Sequence, residues 1–234
     1  MPESTGDISL DTLASQANDR LDWIWETTQI AGQPFELAVA ADPDGMLIEA
    51  CERQDAGEEG VIDPFWAATW RAAAGLDRFL ENVDLAGVDV LEVGCGTGHA
   101  GIAAALRDAN VTLTDGVDDP LLLVRMSIQP VKERCTVQRL RFGQDQIPGK
   151  RFPVILGSDV TYLRTLWPEL ETCCQQHLAD GGQVLLSDPY RIIANEFRQW
   201  IADRPWNYSE HKITLADDPE HPIRVMKLTA KLNA

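Results

Sequence analysis

Residues 88–98 read Val-Asp-Val-Leu-Glu-Val-Gly-Cys-Gly-Thr-Gly, and this stretch decides how the rest of the chain is interpreted. Its apolar, β-branched residues up to Val93 predict a short buried strand. Glycines at alternate positions from Gly94 to Gly98 then interrupt the run, and an alanine-rich segment follows at 102–106. Glycines let the backbone approach a ligand closely, and the free N–H groups at a helix start favour electron-rich atoms. The pattern therefore predicts a strand, a loop and a helix that bind a nucleotide-like cofactor.

The glycine pattern of this loop is compatible with two classes of cofactor, dinucleotides and S-adenosylmethionine. Residues 96–101 spell G-x-G-x-x-G, the dinucleotide fingerprint, in which the first glycine closes the strand. Here Gly94 closes the strand, so the acidic Glu92 precedes the loop, where a carboxylate would repel a pyrophosphate but suit cationic S-adenosylmethionine. Asp115 ends the β-rich run 111–115, where it could accept hydrogen bonds from both ribose hydroxyls, but NAD enzymes share that acid. Glu92 therefore favours S-adenosylmethionine over NAD.

Length and composition predict one large α/β domain with an appendage. The chain has 234 residues, of which 44% are hydrophobic, and it contains no second cofactor-type loop. No apolar run approaches the roughly 18 residues of a membrane span, and residues 1–4 lack the basic start of a signal peptide. Five cysteines without a C-x-x-C pair argue against a disulfide framework or a zinc site. We therefore expect a cytoplasmic protein with neither a membrane span nor a metal.

The charge of the chain bears on its partners. The formal net charge is −17, and residues 1–60 alone carry 14 acidic and 2 basic side chains. Because nucleic-acid binding depends on basic surfaces, this charge excludes DNA and RNA as expected partners. An acidic extension could attract a basic protein partner, although charge runs more often form solvated surface.

The chain divides into an acidic extension, residues 1–60, and a cofactor-binding domain, residues 61–234. In the extension, Asp11 could cap a short helix, and alternating apolar residues at 35–39 followed by a turn at 42–45 predict a β-hairpin. A charged linker follows, and a helix is then predicted from about residue 65 to residue 80.

After the glycine loop, strand and helix patterns alternate. Such alternation predicts a Rossmann-like parallel sheet with helices on both faces. The predicted strands are 111–114, 136–140, 154–158 and 183–187, and the predicted helices are 119–131, 164–178 and 192–202. Two further β runs, 208–215 and 223–229, have no helix between them and predict an antiparallel hairpin at a sheet edge.

Candidate functional residues follow the predicted strands, because ligands of open parallel sheets bind beyond the C-terminal strand ends. Phe142 follows the third strand, where its ring could cover an adenine or equally pack into the core. Ser158, Asp159 and Tyr162 follow the fourth strand, beside the cofactor crevice. Asp159 and Tyr162 could form a pocket for the methyl acceptor, or Asp159 could only cap the next helix. The position favours the acceptor pocket.

Taken together, these residues resemble the seven-β-strand protein-lysine methyltransferases of the methyltransferase-like family 16, which includes enzymes acting on chaperones and on the electron-transfer flavoprotein β subunit. The resemblance covers about residues 65–200, and its most specific element is the D-x-x-Y motif at 159–162. It implies that the cofactor is held by Trp70, Gly94, Cys95, Gly96, Asp115, Phe142 and Ser158. Family members usually have Trp where this chain has Phe142, and the segment 187–191 and the acidic extension match less well.

Methyl transfer from S-adenosylmethionine needs little chemical activation by the protein. A sulfonium methyl is already activated, so catalysis chiefly positions a neutral nucleophile in a site that excludes water. We expect Asp159 to capture and aim a lysine amine, with deprotonation through water or Tyr162. The leading hypothesis is therefore an S-adenosylmethionine-dependent protein-lysine methyltransferase. Its alternatives are a small-molecule N- or O-methyltransferase and a non-catalytic module that binds S-adenosylmethionine.

Overall fold

The computed structural model describes residues 8–231, so the start of the predicted extension and residues 232–234 lie outside the described residues. The helices are α1 Leu10–Asn18, α2 Pro43–Asp55, α3 Arg71–Leu80, α4 His99–Ala105, α5 Asp118–Ser127, α6 Trp167–His177 and α7 Ile192–Ala202. The strands are β1 Trp23–Ile30, β2 Gln33–Ala40, β3 Asp89–Val93, β4 Asn110–Asp115, β5 Cys135–Arg139, β6 Phe152–Ser158, β7 Leu178–Asp188, β8 Trp206–Leu215 and β9 Asp218–Ala230. Within the described residues no helix is long and apolar enough to cross a membrane.

Seven strands form one sheet in the order β5-β4-β3-β6-β7-β9-β8. Strands β3 to β7 are parallel, and β9 and β8 run antiparallel to their neighbours as the predicted C-terminal hairpin. The predicted fold class is confirmed. Because β3 pairs with β4 on one side and β6 on the other, the glycine loop after β3 lies where the strand order reverses, the usual place for a ligand crevice.

Helices cover both faces of this sheet. Val90 and Leu91 are adjacent in β3, so their side chains point to opposite faces, and each is fully buried in a different apolar cluster. The cluster around Val90 includes residues of α3, α4 and α5, whereas the cluster around Leu91 includes residues of α6 and α7. Every residue of the alanine-rich α4 is buried, because small side chains let this helix pack closely under the glycine loop.

The N-terminal hairpin exists, but its turn is not where the sequence predicted it. Strands β1 and β2 pair antiparallel across Ala31 and Gly32, which both have positive φ. The predicted turn at 42–45 instead begins α2, where the Asp42 carboxylate accepts the Gly45 N–H at 2.9 Å. An Asp followed by Pro satisfies a turn and a helix start equally well, because proline fits the first helical position and Asp caps it.

The hairpin packs against the cofactor-binding part of the chain. Leu37 and Val39 of β2 lie in the same apolar cluster as Leu76 of α3. The Ala38 N–H donates to Ser127 Oγ at 2.9 Å, which ties β2 to the end of α5. The division into 1–60 and 61–234 stays a prediction.

The helix predicted from about residue 65 is interrupted. Phe65–Ala67 forms a short 3-10 turn, Trp70 has extended backbone, and α3 begins only at Arg71. The tryptophans of this segment therefore do not share the buried face of α3. The helix predicted at 119–131 also ends early, at Ser127, because Pro130 cannot continue it and a 3-10 segment, Gln129–Arg134, follows.

Candidate active site

A cavity of about 450 Å³ opens at the C-terminal ends of β3, β4, β5 and β6. Nine of the ten predicted site residues line it: Trp70, Gly94, Cys95, Gly96, Asp115, Phe142, Ser158, Asp159 and Tyr162. Its volume lies in the range of about 300–1,000 Å³ that is usual for small-molecule sites. The structure thus brings the predicted residues together, with the exception of Glu92.

The glycine loop is bent by residues in the left-handed region. Gly94, Gly96 and Gly98 have φ of +60°, +49° and +79°. A Cβ on Gly94 would lie 2.9 Å from Val160 Cγ1, and one on Gly96 would lie 3.4 Å from the Trp66 carbonyl oxygen. The first two glycines therefore keep open a cradle beside the cavity that larger residues would fill.

Asp115 joins the end of β4 to the glycine loop. Its Oδ2 accepts the Gly96 N–H at 3.0 Å and its Oδ1 accepts the Val117 N–H at 3.0 Å. Burial raises the pKa of this carboxyl, although the backbone N–H groups oppose the rise. A carboxylate has about four lone-pair sites, so Asp115 retains acceptor capacity for a ribose diol.

The Glu92 side chain does not line the cavity. It is fully buried, and its Oε2 accepts the N–H of Gly101 in α4 at 2.9 Å. Burial raises the pKa of this carboxyl to about 8. The expectation that Glu92 faces a cationic ligand is corrected by this placement, because β-strand alternation turns the side chain toward α4 and beneath the loop. Glu92 supports the loop from below.

Aromatic side chains form one wall of the cavity. The Trp70 Nε1–H donates to the Phe65 carbonyl oxygen at 2.7 Å. The Phe65 ring lies 6.4 Å from the Trp70 ring and 5.2 Å from the Tyr162 ring, measured between centroids. Phe65 and Trp66 also line the cavity, although the sequence pattern placed this segment on a buried helix face and predicted no site role for either residue. The sequence carries no local signal against that helix, because Pro64 lies before its predicted start, where a proline is compatible with a helix.

Asp159 and Tyr162, the two residues predicted to form an acceptor pocket, differ in their electrostatics. Burial raises the pKa of Tyr162, and the carboxylates of Asp115, Asp159 and Asp63 raise it further. Asp159 is buried at positive φ, and the Arg191 guanidinium bonds its carboxylate through two nitrogen atoms. Arg191 belongs to the segment 187–191, to which the sequence assigned no role.

The cavity fits S-adenosylmethionine. The glycine cradle gives room for backbone contact, Asp115 can accept from ribose hydroxyls, and the ring of Phe142 lines the cavity where it can cover an adenine. Within residues 8–231, no three His, Cys, Asp or Glu side chains cluster in a way that could hold a metal.

Fold and site together define the class of protein, a seven-stranded α/β methyltransferase that uses S-adenosylmethionine. The chain belongs to the lysine methyltransferase family, whose sequence model matches residues 51–199. The predicted family resemblance and the predicted cofactor are confirmed. Which side chains contact the cofactor stays a prediction.

Individual relatives and solved structures agree with this class. Protein N-lysine methyltransferase METTL21A of Danio rerio is 39% identical over 130 residues, which cover 51% of this chain and 58% of that protein. The Mus musculus METTL21A is 30% identical over 184 residues, covering 75% of this chain and 80% of that protein. The chain thus spans just over half of the Danio rerio relative. The solved glycopeptide N-methyltransferase MtfA shares the fold, with a TM-score of 0.58 at 14% identity over 68% of this chain and 96% of that chain.

Proposed function

We propose that this protein transfers a methyl group from S-adenosylmethionine to the side-chain amine of a lysine in a protein substrate. The observation that carries the proposal is the position of Asp159 and Tyr162, which line the same cavity as Gly94 and Asp115. Family membership supports it, because the relatives named above are protein N-lysine methyltransferases.

The cofactor supplies an activated methyl group on a sulfonium. The residues of this chain therefore have to bind the acceptor amine, orient it toward the methyl group and keep it neutral. A lysine amine of pKa about 10.4 loses its proton at pH 7 at a cost of about 4–5 kcal/mol. The apolar wall of Phe65 and Trp70 reduces this cost, because burial disfavours the charged ammonium. Tyr162 with its raised pKa stays a neutral phenol that can accept a hydrogen bond. Deprotonation through water is therefore favoured over a phenolate base.

The rim of the cavity favours a macromolecular acceptor over a small molecule. Ile62 and Leu163 line the cavity, yet they are 65% and 38% exposed. Ile192, next to Arg191, is 82% exposed. Exposed apolar side chains that surround a cavity are typical of a protein–protein contact. The acidic charge of the chain favours a basic partner. A cytoplasmic location and the absence of a nucleic-acid partner stay predictions from the sequence.

The test is incubation of the protein with methyl-labelled S-adenosylmethionine and a cell lysate. We expect the label in protein, and mass spectrometry should locate it on lysine. An Asp159→Ala variant that still binds S-adenosylhomocysteine serves as the control for enzymatic transfer. Label in the small-molecule fraction alone would favour the small-molecule alternative. S-Adenosylhomocysteine binding without any transfer would favour the non-catalytic alternative.

A further inference from the structure

The Asp159 carboxylate at the acceptor end of the cavity is already paired with a cation. Arg191 Nε lies 2.9 Å from Asp159 Oδ1, and Arg191 Nη2 lies 2.7 Å from Oδ2. The Asp159 side chain is 4% exposed, whereas the Arg191 side chain is 37% exposed. A bidentate guanidinium–carboxylate pair fixes both the geometry and the charge of its members.

The same guanidinium also covers an aromatic face. Arg191 Cζ lies 5.1 Å from the centroid of the Trp70 ring, within cation–π range. Trp70 and Asp159 both line the cavity. An aromatic face and a carboxylate together make a corner that suits a cation, and the chain fills this corner with its own Arg191.

The surrounding backbone holds Arg191 in place. Arg191 precedes α7, and its carbonyl oxygen accepts the Ala194 N–H at 3.1 Å. Tyr190 has a positive φ, and Arg224 Cζ lies 4.8 Å from the centroid of its ring. Arg224 is itself fixed by a buried bidentate pair with Asp188. Withdrawal of Arg191 would leave the buried Asp159 carboxylate uncompensated, which is strongly unfavourable.

This pairing matters because a methyl-accepting amine must be neutral. A lone carboxylate beside the amine would stabilise the ammonium and raise the amine pKa by about 1–3 units. A carboxylate already neutralised by a guanidinium can still accept a hydrogen bond, but it holds an ammonium much less strongly. We propose that Arg191 is a positioning residue that neutralises Asp159, so that the acceptor end of the cavity takes the lysine amine in its neutral form. This inference rests on the proposed function.

Other titratable groups also face this corner. Tyr162, Asp63 and Asp115 lie on the cavity wall, and Asp188 interacts with Arg191 at longer range. These neighbours are acids or a phenol. Removal of the Arg191 charge would therefore leave a net negative corner beside the cofactor loop.

The direct test uses tetramethylammonium, a permanent cation that cannot lose a proton. Calorimetric titration at pH 7 into protein saturated with S-adenosylhomocysteine compares the wild type, Arg191→Met and Arg191→Lys. We expect Arg191→Met to bind tetramethylammonium at least tenfold more tightly than the wild type, because Asp159 and the Trp70 face are then free. Arg191→Lys retains the positive charge and should behave as the wild type does. Equal affinity in Arg191→Met and the wild type would overturn the inference.

Two further variants remove the alternative explanations. Arg198→Met removes an exposed arginine from α7, the helix that follows Arg191, and it should leave tetramethylammonium affinity unchanged. The double variant Asp159→Asn/Arg191→Met has no buried charge to compensate, so it should fold and lose the affinity gained in Arg191→Met. A double variant that keeps the gained affinity would show that the cation binds elsewhere, which contradicts the inference.

A second experiment measures kcat and KM for labelled methyl transfer by the wild type and Arg191→Met between pH 7 and pH 10. In Arg191→Met we expect a lower KM, from tighter ammonium capture, together with a kcat profile displaced upward by at least one pH unit. A uniform loss of activity with an unmoved profile would mean that Arg191 is merely structural, and a uniform gain would mean that it obstructs the acceptor. If the wild type labels no lysine, the proposed function fails, and the tetramethylammonium titration still decides the charge role of Arg191.

Discussion

Glu92 and Gly101 join the strand that precedes the glycine loop to the helix that follows it, through a 2.9 Å hydrogen bond from the Gly101 N–H to the Glu92 carboxylate. A Cβ on Gly101 would overlap both Glu92 Oε2 and the Leu113 side chain. Gly101 is the last glycine of the apparent G-x-G-x-x-G match at 96–101. This glycine is needed for packing against Glu92 and β4, so the match to the dinucleotide fingerprint has a cause unrelated to phosphate binding.

The burial of Glu92 predicts a pH-dependent stability. Its carboxyl pKa is raised to about 8, mainly by burial, so the folded state keeps a proton that the unfolded state releases above about pH 4.5. The free energy of unfolding should therefore fall as the pH rises from about 4.5 to 8, by up to about 1.4 kcal/mol per pH unit, and then level off. Glu92→Gln lacks this titration. Urea unfolding of both proteins at pH 5, 6.5 and 8 measures the difference, and parallel pH dependences would contradict it.

The same variant tests whether Glu92 contacts the cofactor. The amide oxygen of the introduced glutamine can still accept the Gly101 N–H, so a purely supporting role predicts nearly unchanged calorimetric affinity for S-adenosylhomocysteine. A tenfold or greater loss would restore the sequence-based interpretation in which the carboxylate attracts the cationic end of the ligand.

The placement of Glu92 shows what the sequence could and could not predict. The acid before the glycine loop correctly indicated the class of cofactor, yet its side chain lies under the loop. Strand alternation contained the missing signal, because Val90 and Glu92 must face the same side of β3, and Val90 packs in the cluster that includes α4. A residue type can identify a motif without touching the ligand.

Other parts of the site were not predictable because they depend on contacts between distant segments. Asp159 and Arg191 are 32 positions apart, and nothing local pairs them. Phe65 meets Tyr162 only because the chain before α3 forms a short 3-10 turn and an extended segment instead of a continuous helix. Regular elements follow local periodicity and were predicted well, as the bounds of α7 show. Side-chain pairing across the cavity follows the tertiary arrangement.

Gly94→Ala should impair both stability and cofactor binding. An alanine at φ +60° costs about 1–2 kcal/mol, and its Cβ would lie 2.9 Å from Val160 Cγ1. Gly32→Ala is the matched control, because Gly32 also has a positive φ but no atom lies within 4 Å of its Cβ position. Thermal unfolding should report a loss for both variants, whereas S-adenosylhomocysteine affinity should fall for Gly94→Ala alone. Normal affinity in Gly94→Ala would remove the loop from the cofactor site.

Asp115→Ala should weaken S-adenosylhomocysteine binding by about 1.5–3 kcal/mol, because it removes charge-assisted acceptors for the ribose and a hydrogen bond that shapes the loop. Asp89→Ala, an exposed acid at the opposite end of the neighbouring strand β3, is the control. Calorimetry should detect no NAD binding by the wild type. Tight NAD binding, or an unchanged affinity for S-adenosylhomocysteine in Asp115→Ala, would contradict the assignment.

Phe142→Ala should weaken S-adenosylhomocysteine binding by about 1–3 kcal/mol if the ring stacks on the adenine. Phe142→Trp restores the larger ring that the resembling family usually has at this position, and it should bind at least as tightly as the wild type. Competition with adenosine separates an adenine contact from general packing. Should both variants lose stability and keep their affinity, Phe142 belongs to the core.

The last prediction concerns the Asp159 carboxylate. It is expected to accept a hydrogen bond from the lysine amine, and it is also paired with Arg191. A carboxylate of ordinary pKa, about 4, is far too weak a general base to take a proton from an ammonium. As an acceptor that aims the amine, Asp159 requires only an oxygen at this strand end. Asp159→Asn keeps an acceptor and loses the charge, whereas Asp159→Ala loses both. Both variants should bind S-adenosylhomocysteine normally in calorimetry.

Initial rates of labelled methyl transfer at pH 7, 8 and 9 then distinguish the roles of Asp159. Asp159→Ala should lose nearly all transfer. Asp159→Asn should retain measurable activity that rises with pH, because the unpaired Arg191 guanidinium repels an ammonium and the rate then follows the neutral fraction of free lysine. If both variants instead lose cofactor binding, Asp159 is a structural cap or a cofactor ligand, and the acceptor pocket lies at another strand end.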